Sequence, residues 1–246
     1  MPELADSIAL RYLKETKLHR AMIRSHQRPA IGDAQQDRPM PCLATVDLPR
    51  EWQIRENRFD RLLQKRRSRR KFVDAPITLA DLAFLLWACQ GITAQAGHYL
   101  FRTAPSAGAL YPLETYCCCE RVEGLAAGLY HFDAPGFRLA HLTETSCAAR
   151  VAEACLGQGF MAKGAVVFIW SAVFRRNMSK YGHRGLRYIF LDAGHACQNL
   201  LLAAESIDCA ACPVAAFFDD ECNDLLTLDG EEESVLYMAV VGRTTA

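Results

Sequence analysis

The run from Leu186 to Ser206 constrains this chain more than any other stretch, because it contains no proline and Gly194 alone interrupts it. Apolar residues recur at Leu186, Ile189, Phe190, Ala193, Cys197, Leu200, Leu201 and Ala204, the spacing of one helical face, and Leu202 and Ala203 broaden that face. A helix apolar over most of its circumference is expected in the interior. Its polar residues Asp192, His195, Gln198 and Asn199 then need partners, with His195 and Cys197 read as a hydrogen-bonded core histidine and a core thiol. Immediately before it, Lys180-Tyr181-Gly182-His183-Arg184-Gly185 reads as a glycine-punctuated loop that places Lys180, Tyr181 and Arg184 at the helix entrance.

Around this spine the chain of 246 residues is long enough for one full core. Lysine and arginine balance aspartate and glutamate at 28 each, which removes the general electrostatic case for nucleic acid or an anionic membrane as partner. The longest apolar runs, such as Gly164 to Val173, reach about half of the ~20 residues a bilayer requires. The first residues are acidic rather than basic, so a secretory signal is not visible and a cytoplasmic location is expected. In that compartment the 11 cysteines are expected to stay reduced, as small core residues.

Read in order, Met1 to about Arg28 suits an amphipathic helix on Leu4, Ile8, Leu10, Leu13 and Leu18, and Gln27 to Pro49 an extended arm. Residues 1–54 are therefore assigned to a helix and arm, and 55–246 to the main domain. Asn57 to Arg66 predicts a helix with Phe59, Leu62 and Leu63 inward. Thr78-x-x-Asp81 opens another, a capping box with aspartate in the usual glutamate position, which ends at Gly91. Strands are predicted at Glu114 to Val122, Gly128 to Asp133, Phe137 to Leu142, Gly164 to Val173, Cys209 to Phe217 and Ser234 to Val241. Helices are predicted at Cys147 to Leu156 and near Asp220 to Leu226. Several strands follow one another without crossover helices, which favours α+β.

Two motifs carry chemistry. Arg66-Arg67-Ser68-Arg69-Arg70 offers planar guanidinium forks and a hydroxyl that suit a phosphate clamp, and equally a solvated helix end or a basic patch. In Pro105-Ser106-Ala107-Gly108, small residues let a planar ring approach the backbone amides; an ordinary turn is the alternative. The pair Cys209-x-x-Cys212 has metal-ligand spacing but no second pair, and on a strand its thiols diverge, so no metal is expected. No G-x-G-x-x-G follows a strand, so no dedicated nicotinamide domain is expected.

Taken together, Arg66 to Phe72, Pro105 to Glu114, Lys180 to Tyr188, Leu191 to His195 and the ending at Gly242 occur in the order seen in the nitroreductase-like FMN flavoproteins. They resemble most the SagB-type, azoline-dehydrogenase branch, and Glu15-Thr16-Lys17 is similar to that branch's N-terminal extension. The resemblance implies an α+β fold with a central mixed or antiparallel sheet, in which two intertwined chains bind two FMN molecules at their interface. By it, Arg66, Arg67, Ser68, Arg70 and Arg243 match contacts to the phosphate and ribityl chain. Pro105, Ser106, Ala107 and Gly108 match the loop that the partner chain lays on the flavin, and Val214, Ala215 and Ala216 match a backbone segment facing the ring. Relatives often carry Glu or Gly where Ala215 and Ala216 stand, so only the backbone role is carried over.

Lys180 and Tyr181 match the pair assigned to acid/base work. A solvated lysine and a packed tyrosine remain the alternative. Free tyrosine and lysine titrate at about 10 and 10.4, so one of them would need lowering to act as a base. The implied function is oxidation of a thiazoline- or oxazoline-like substrate, small or peptidic, by a homodimer. The alternative is a nitroreductase or quinone reductase fed by NAD(P)H.

Overall fold

A computed structural model describes residues 7–20, 41–97 and 99–245. The beginning of the expected first helix, with Leu4, and most of the expected arm lie outside them. In chain order the elements are α1 (Ile8–Glu15), β1 (Ala44–Asp47), α2 (Phe59–Lys65), α3 (Leu79–Gln90), β2 (Ile92–Ala96), β3 (Tyr99–Arg102), β4 (Leu113–Cys119), β5 (Gly128–Asp133) and β6 (Arg138–Thr143). They continue with α4 (Ala148–Ala154), β7 (Val166–Val173), α5 (Phe174–Tyr181), α6 (Gly185–Ser206), β8 (Cys209–Val214), α7 (Asp219–Leu226) and β9 (Glu233–Arg243).

Seven strands form one sheet in the order β1-β6-β5-β4-β7-β9-β8, antiparallel at every pairing, and β2 and β3 form a separate hairpin. The fold is thus α+β with a central antiparallel sheet flanked by helices. The strand β7, interior to the sheet between β4 and β9, has a continuous apolar sequence buried at every position. Alternation along β7 sends Phe168 and Trp170 into one core with α3 and α6, and Val167 and Ile169 into a second core with α4 and α7. Cys209 and Cys212 follow the same rule and enter opposite cores.

The capping box forms as the sequence predicts: Asp81 N–H donates to Thr78 Oγ1 at 3.0 Å, and Thr78 N–H donates to the Asp81 carboxylate at 3.1 Å. Other expectations require correction. In α2 only Leu62 points inward; Phe59 and Leu63 are exposed, because the segment is short and packs along one edge. The long helix α6 is not buried all round: Phe190, Leu191, Gly194, His195 and Gln198 share an exposed face, so His195 is not a core residue. The arm contributes β1 to the sheet edge, pairing Ala44–Asp47 with β6, so the sheet extends into residues 1–54. The cysteines are not all reduced, since Cys118 and Cys147 form a disulfide with Cα atoms 6.0 Å apart. No helix among the described residues is long and apolar enough to cross a membrane.

Thr78→Ala is expected to cost about 1 kcal/mol by orphaning the N–H of Asp81, read as a lower urea midpoint at unchanged slope.

Candidate active site

The residues singled out from sequence fall into two groups at opposite ends of α6. At its carboxyl end, Ser68 forms a parallel bridge with Ala211 of the edge strand β8, and Arg69 N–H donates to the Ala211 carbonyl at 3.0 Å. This holds the arginine run along the sheet edge. Arg69 itself is paired with the carboxylate of Glu205, and Arg67 donates to the carbonyls of Gln64 and Arg66. Arg70 lies over the Phe160 ring, 5.6 Å from its centre. Among the described residues Arg66, Arg67 and Arg70 are not paired with a carboxylate, so three guanidinium charges remain unbalanced.

Arg243 differs. Its guanidinium forms an ion pair with Asp81 and donates to the Ile207 carbonyl at 2.8 Å, so its charge is already balanced. Val214 ends β8 in the interior, while Ala215 and Ala216 emerge exposed, with the Ala216 carbonyl accepting from Gln158 at 3.3 Å.

At the amino end of α6 sits the Pro105 loop. Gly108, Ala109 and Tyr111 have φ of +67°, +54° and +44°, the left-handed region that side chains disfavour. Such a backbone persists only if its surroundings hold it. The buried carboxylate of Asp192, on α6, accepts from Ser106 Oγ at 2.6 Å and from Ala107 N–H at 3.4 Å. Ser106 Oγ in turn accepts from Tyr111 N–H at 3.0 Å, and Tyr111 Oη accepts from Arg102 N–H at 3.0 Å. Burial raises the pKa of Asp192, and the bonds from Ser106 and Ala107 oppose that shift. The Ser106 hydroxyl is therefore structural, and the loop's free face is formed by backbone and by exposed Pro105 and Gly108.

Lys180 and Tyr181 converge on this loop. A Cβ placed on Gly108 would lie 2.5 Å from Tyr181 Oη and 2.7 Å from Lys180 Nζ, so a side chain here would displace both groups from the loop and strain a backbone at φ +67°. The pair does not lie on an irregular loop, as its glycines suggested, but closes the last turn of α5. Gly182, at φ +57°, ends the helix there. Neighbours on a helix are about 100° apart rather than on opposite faces, which lets both reach Gly108.

Sequence reading missed the group beneath them. Glu114 on β4 accepts from Arg176 on α5 at 2.5 Å and pairs with His131 on β5 at 2.8 Å, and Arg176 also reaches the Tyr111 carbonyl at 3.4 Å. Burial alone would raise the Glu114 pKa; the His131 bond and the Arg176 charge overcome it and hold the group at about 2. A glutamate within a motif, four residues before no lysine or arginine, gives no local signal of such a pairing.

The thiols are poor candidates for nucleophiles, since burial pushes Cys197, Cys209 and Cys222 up to about 12. Cys118, Glu120 and Cys147 lie close enough to share a metal, but the two sulfurs are bonded to each other and Glu120 accepts from Ser146 and Ala148.

This fold and these motifs match the nitroreductase family over residues 63–243, and the chain belongs to that family. It is an oxidoreductase family. The chain is 35% identical over 190 residues to the "Putative nitroreductase MJ1384" of Methanocaldococcus jannaschii, covering 77% of this chain and 93% of that protein. It is also 30% identical to the trifolitoxin-processing protein TfxB of Rhizobium leguminosarum bv. trifolii, over 60% of this chain and 41% of that one. With the microcin B17-processing protein McbC of Escherichia coli the identity is 27%, over 57% of this chain and 54% of that one. It thus spans about half the length of these two processing proteins.

Among solved structures, a "putative nitroreductase" from Anabaena variabilis has a TM-score of 0.73 at 26% identity, over 96% of this chain and 47% of that one. The E. coli microcin synthetase McbBCD complex with truncated pro-MccB17 bound scores 0.63 at 19% identity, over 98% of this chain and 84% of the matched one. A "putative nitroreductase" in complex with FMN from Desulfovibrio desulfuricans scores 0.53 at 18%, over 78% and 88%.

The low pKa of Glu114 stabilises the fold fully above the free-glutamate value near 4.5, and this contribution is lost as pH falls towards 2. Glu114→Gln is expected to lose roughly 3 kcal/mol at pH 7, and its deficit against wild type should shrink steadily between pH 5 and 2 in urea titrations.

Proposed function

We propose that this chain is a SagB-type dehydrogenase: an FMN-dependent homodimer that oxidises a thiazoline- or oxazoline-like ring. One observation carries this reading, the convergence of Lys180 and Tyr181 on Gly108. Aromatising an azoline removes a hydride from one ring carbon and a proton from its neighbour as the carbon–carbon double bond forms, so a base is required beside the hydride acceptor. Oxidation of NAD(P)H delivers hydride without such a proton and needs no pair of this kind.

The residues fit the cofactor. Arg66, Arg67 and Arg70 are cations with no carboxylate partner among the described residues and would hold its phosphate, with Ser68 beside them, and the exposed Ala215 and Ala216 would face its ring. When bound, FMN supplies the hydride acceptor at N5. Pro105 and the Gly108 backbone would cover the flavin, and Lys180 or Tyr181 would take the substrate proton. Arg243, balanced by Asp81, would act through its remaining N–H rather than by net charge.

The homodimer has its own support. Asp192, which holds the loop, and Glu205, which holds the arginine run, are separated along α6 by roughly 20 Å at the helical rise of 1.5 Å per residue. The two groups of candidate residues in one chain are therefore too far apart to meet around one ring. A second copy, packed on the exposed Phe190, Leu191 and Gly194 face, would bring the loop and Lys180 of one protomer to the arginines of the other.

The second reading, an NAD(P)H-dependent nitroreductase or quinone reductase, is favoured by the similarity to MJ1384.

Lys180→Ala and Tyr181→Phe are expected to keep stoichiometric FMN and to lose at least 100-fold in kcat on a synthetic peptidyl thiazoline. Unchanged turnover, with rapid bleaching by NADH, would select the reductase. Arg66→Ala/Arg70→Ala is expected to purify colourless. Co-refolding it with Lys180→Ala should restore about a quarter of wild-type activity, since half the dimers are mixed and one of their two sites is intact. No restoration would place each site within a single chain.

A further inference from the structure

The N-terminal helix α1 buries none of its residues, and its exposed apolar side chains Ile8 and Leu13 are not docked on the core. Its hydrogen bonds to the rest of the chain, among the described residues, all end within residues 183–187, the joint between α5 and α6. Arg187 donates to the Leu13 carbonyl at 2.6 Å and, through Nε, to Thr16 Oγ1 at 2.9 Å. Arg184 donates to the Thr16 carbonyl at 2.8 Å, and Tyr12 Oη donates to the His183 carbonyl at 3.1 Å. Two cations thus meet the carbonyl end of a helix, where the macrodipole is negative and the last carbonyls need donors. Thr16, closing the helix, is buried by this contact.

The contact continues into the site. Arg184 also donates through Nε to Tyr188 Oη at 2.7 Å, and the Tyr188 ring meets Tyr181 edge-on, with centres 4.9 Å apart and planes at 79°. Tyr181 is the residue whose hydroxyl lies against Gly108, and Lys180 Nζ stands 5.4 Å from the Tyr181 ring centre. Between Tyr181 and the joint lies only Gly182, the one backbone break in the segment. Arg184, on the far side of this glycine, bonds both the end of α1 and Tyr188, against whose ring Tyr181 packs, so it links α1 to the setting of Tyr181.

We propose that α1 is a working part of the active site, with Arg184 as a positioning residue that couples the carboxyl end of α1, through Tyr188, to the placement of Tyr181. This rests on the proton-transfer reading above and gives the N-terminal segment a role in it. An eight-residue helix with no buried face is not stable alone, so the order of α1 and the order of the joint depend on each other.

The test uses the full-length FMN-loaded protein and the peptidyl thiazoline, with Arg184→Leu, Arg184→Lys and the milder Thr16→Val. Arg184→Leu is expected to lower kcat about 10-fold at unchanged KM and FMN content, and to move the basic limb of the kcat–pH profile. Amide hydrogen exchange across residues 178–188 is expected to rise about 10-fold. Lysine can keep one of the two bonds from position 184, so Arg184→Lys should fall between. Thr16→Val, which removes a bond distant from the reacting groups, should raise the same exchange.

Wild-type kcat, pH profile and exchange in Arg184→Leu and Thr16→Val, alongside an inactive Tyr181→Phe, would overturn the coupling alone. Full turnover by Tyr181→Phe would instead overturn the reading beneath it, and the coupling with it.

Discussion

Burial of α6 against the sheet governs where every other functional group can stand. Ile189, Ala193, Ala196, Cys197, Leu200, Ala203 and Ala204 are small or branched and almost fully enclosed, so the helix lies close over β8 and β9 and cannot shift along them without opening voids. Fixing the helix fixes both its ends. Asp192 then determines where the Pro105 loop is held, and Glu205 determines where the arginine segment is held. The span between them comes from helical rise alone. The distance between the loop and the arginine segment is therefore inherited from a packing requirement.

Much of this was legible in the sequence where the signal was local. The capping box at Thr78 depends on residues three apart and needs no tertiary information, and β7 betrays itself by an unbroken apolar run that only a strand buried on both faces can use. The family was legible in its motifs as an ordered set. What failed depended on contacts between distant segments. The β2–β3 hairpin was not foreseen because its side chains are largely exposed, so no alternation marks it. His195 and Phe190 carry no mark separating a core-facing from an outward position on a helix this apolar. The disulfide was hidden because Cys118 shares its strand with Cys117 and Cys119, and only the pleat sends Cys118 to the other core, where Cys147 arrives from 29 positions away. The glycines around Lys180 signalled a loop, but a helix needs only one to end it, and Gly182 suffices.

The two ends of α6 also differ in how their charge is held. At the loop end, Glu114 is enclosed and compensated on both sides by His131 and Arg176, and nearby Glu233 accepts from Ser171 and Tyr116 in the same layer. Such a satisfied buried network resists rearrangement, since removing any one member strands a charge in low dielectric. At the arginine end the opposite holds: charge is left over. Rigid compensation beneath the loop and surplus charge along the sheet edge are thus opposite ways of holding charge.

The parallel bridge between Ser68 and Ala211 carries one more implication. An edge strand such as β8 exposes backbone groups that would otherwise recruit strands from other molecules, and the arginine segment covers that margin with its own backbone and a fringe of positive charge. The same few residues thus cover a strand margin and present positive charge. Because sheet pairing orders their backbone in advance, little conformational freedom remains to be lost when a ligand arrives, and a lesion that loosens the segment would compromise colloidal behaviour and ligand affinity together.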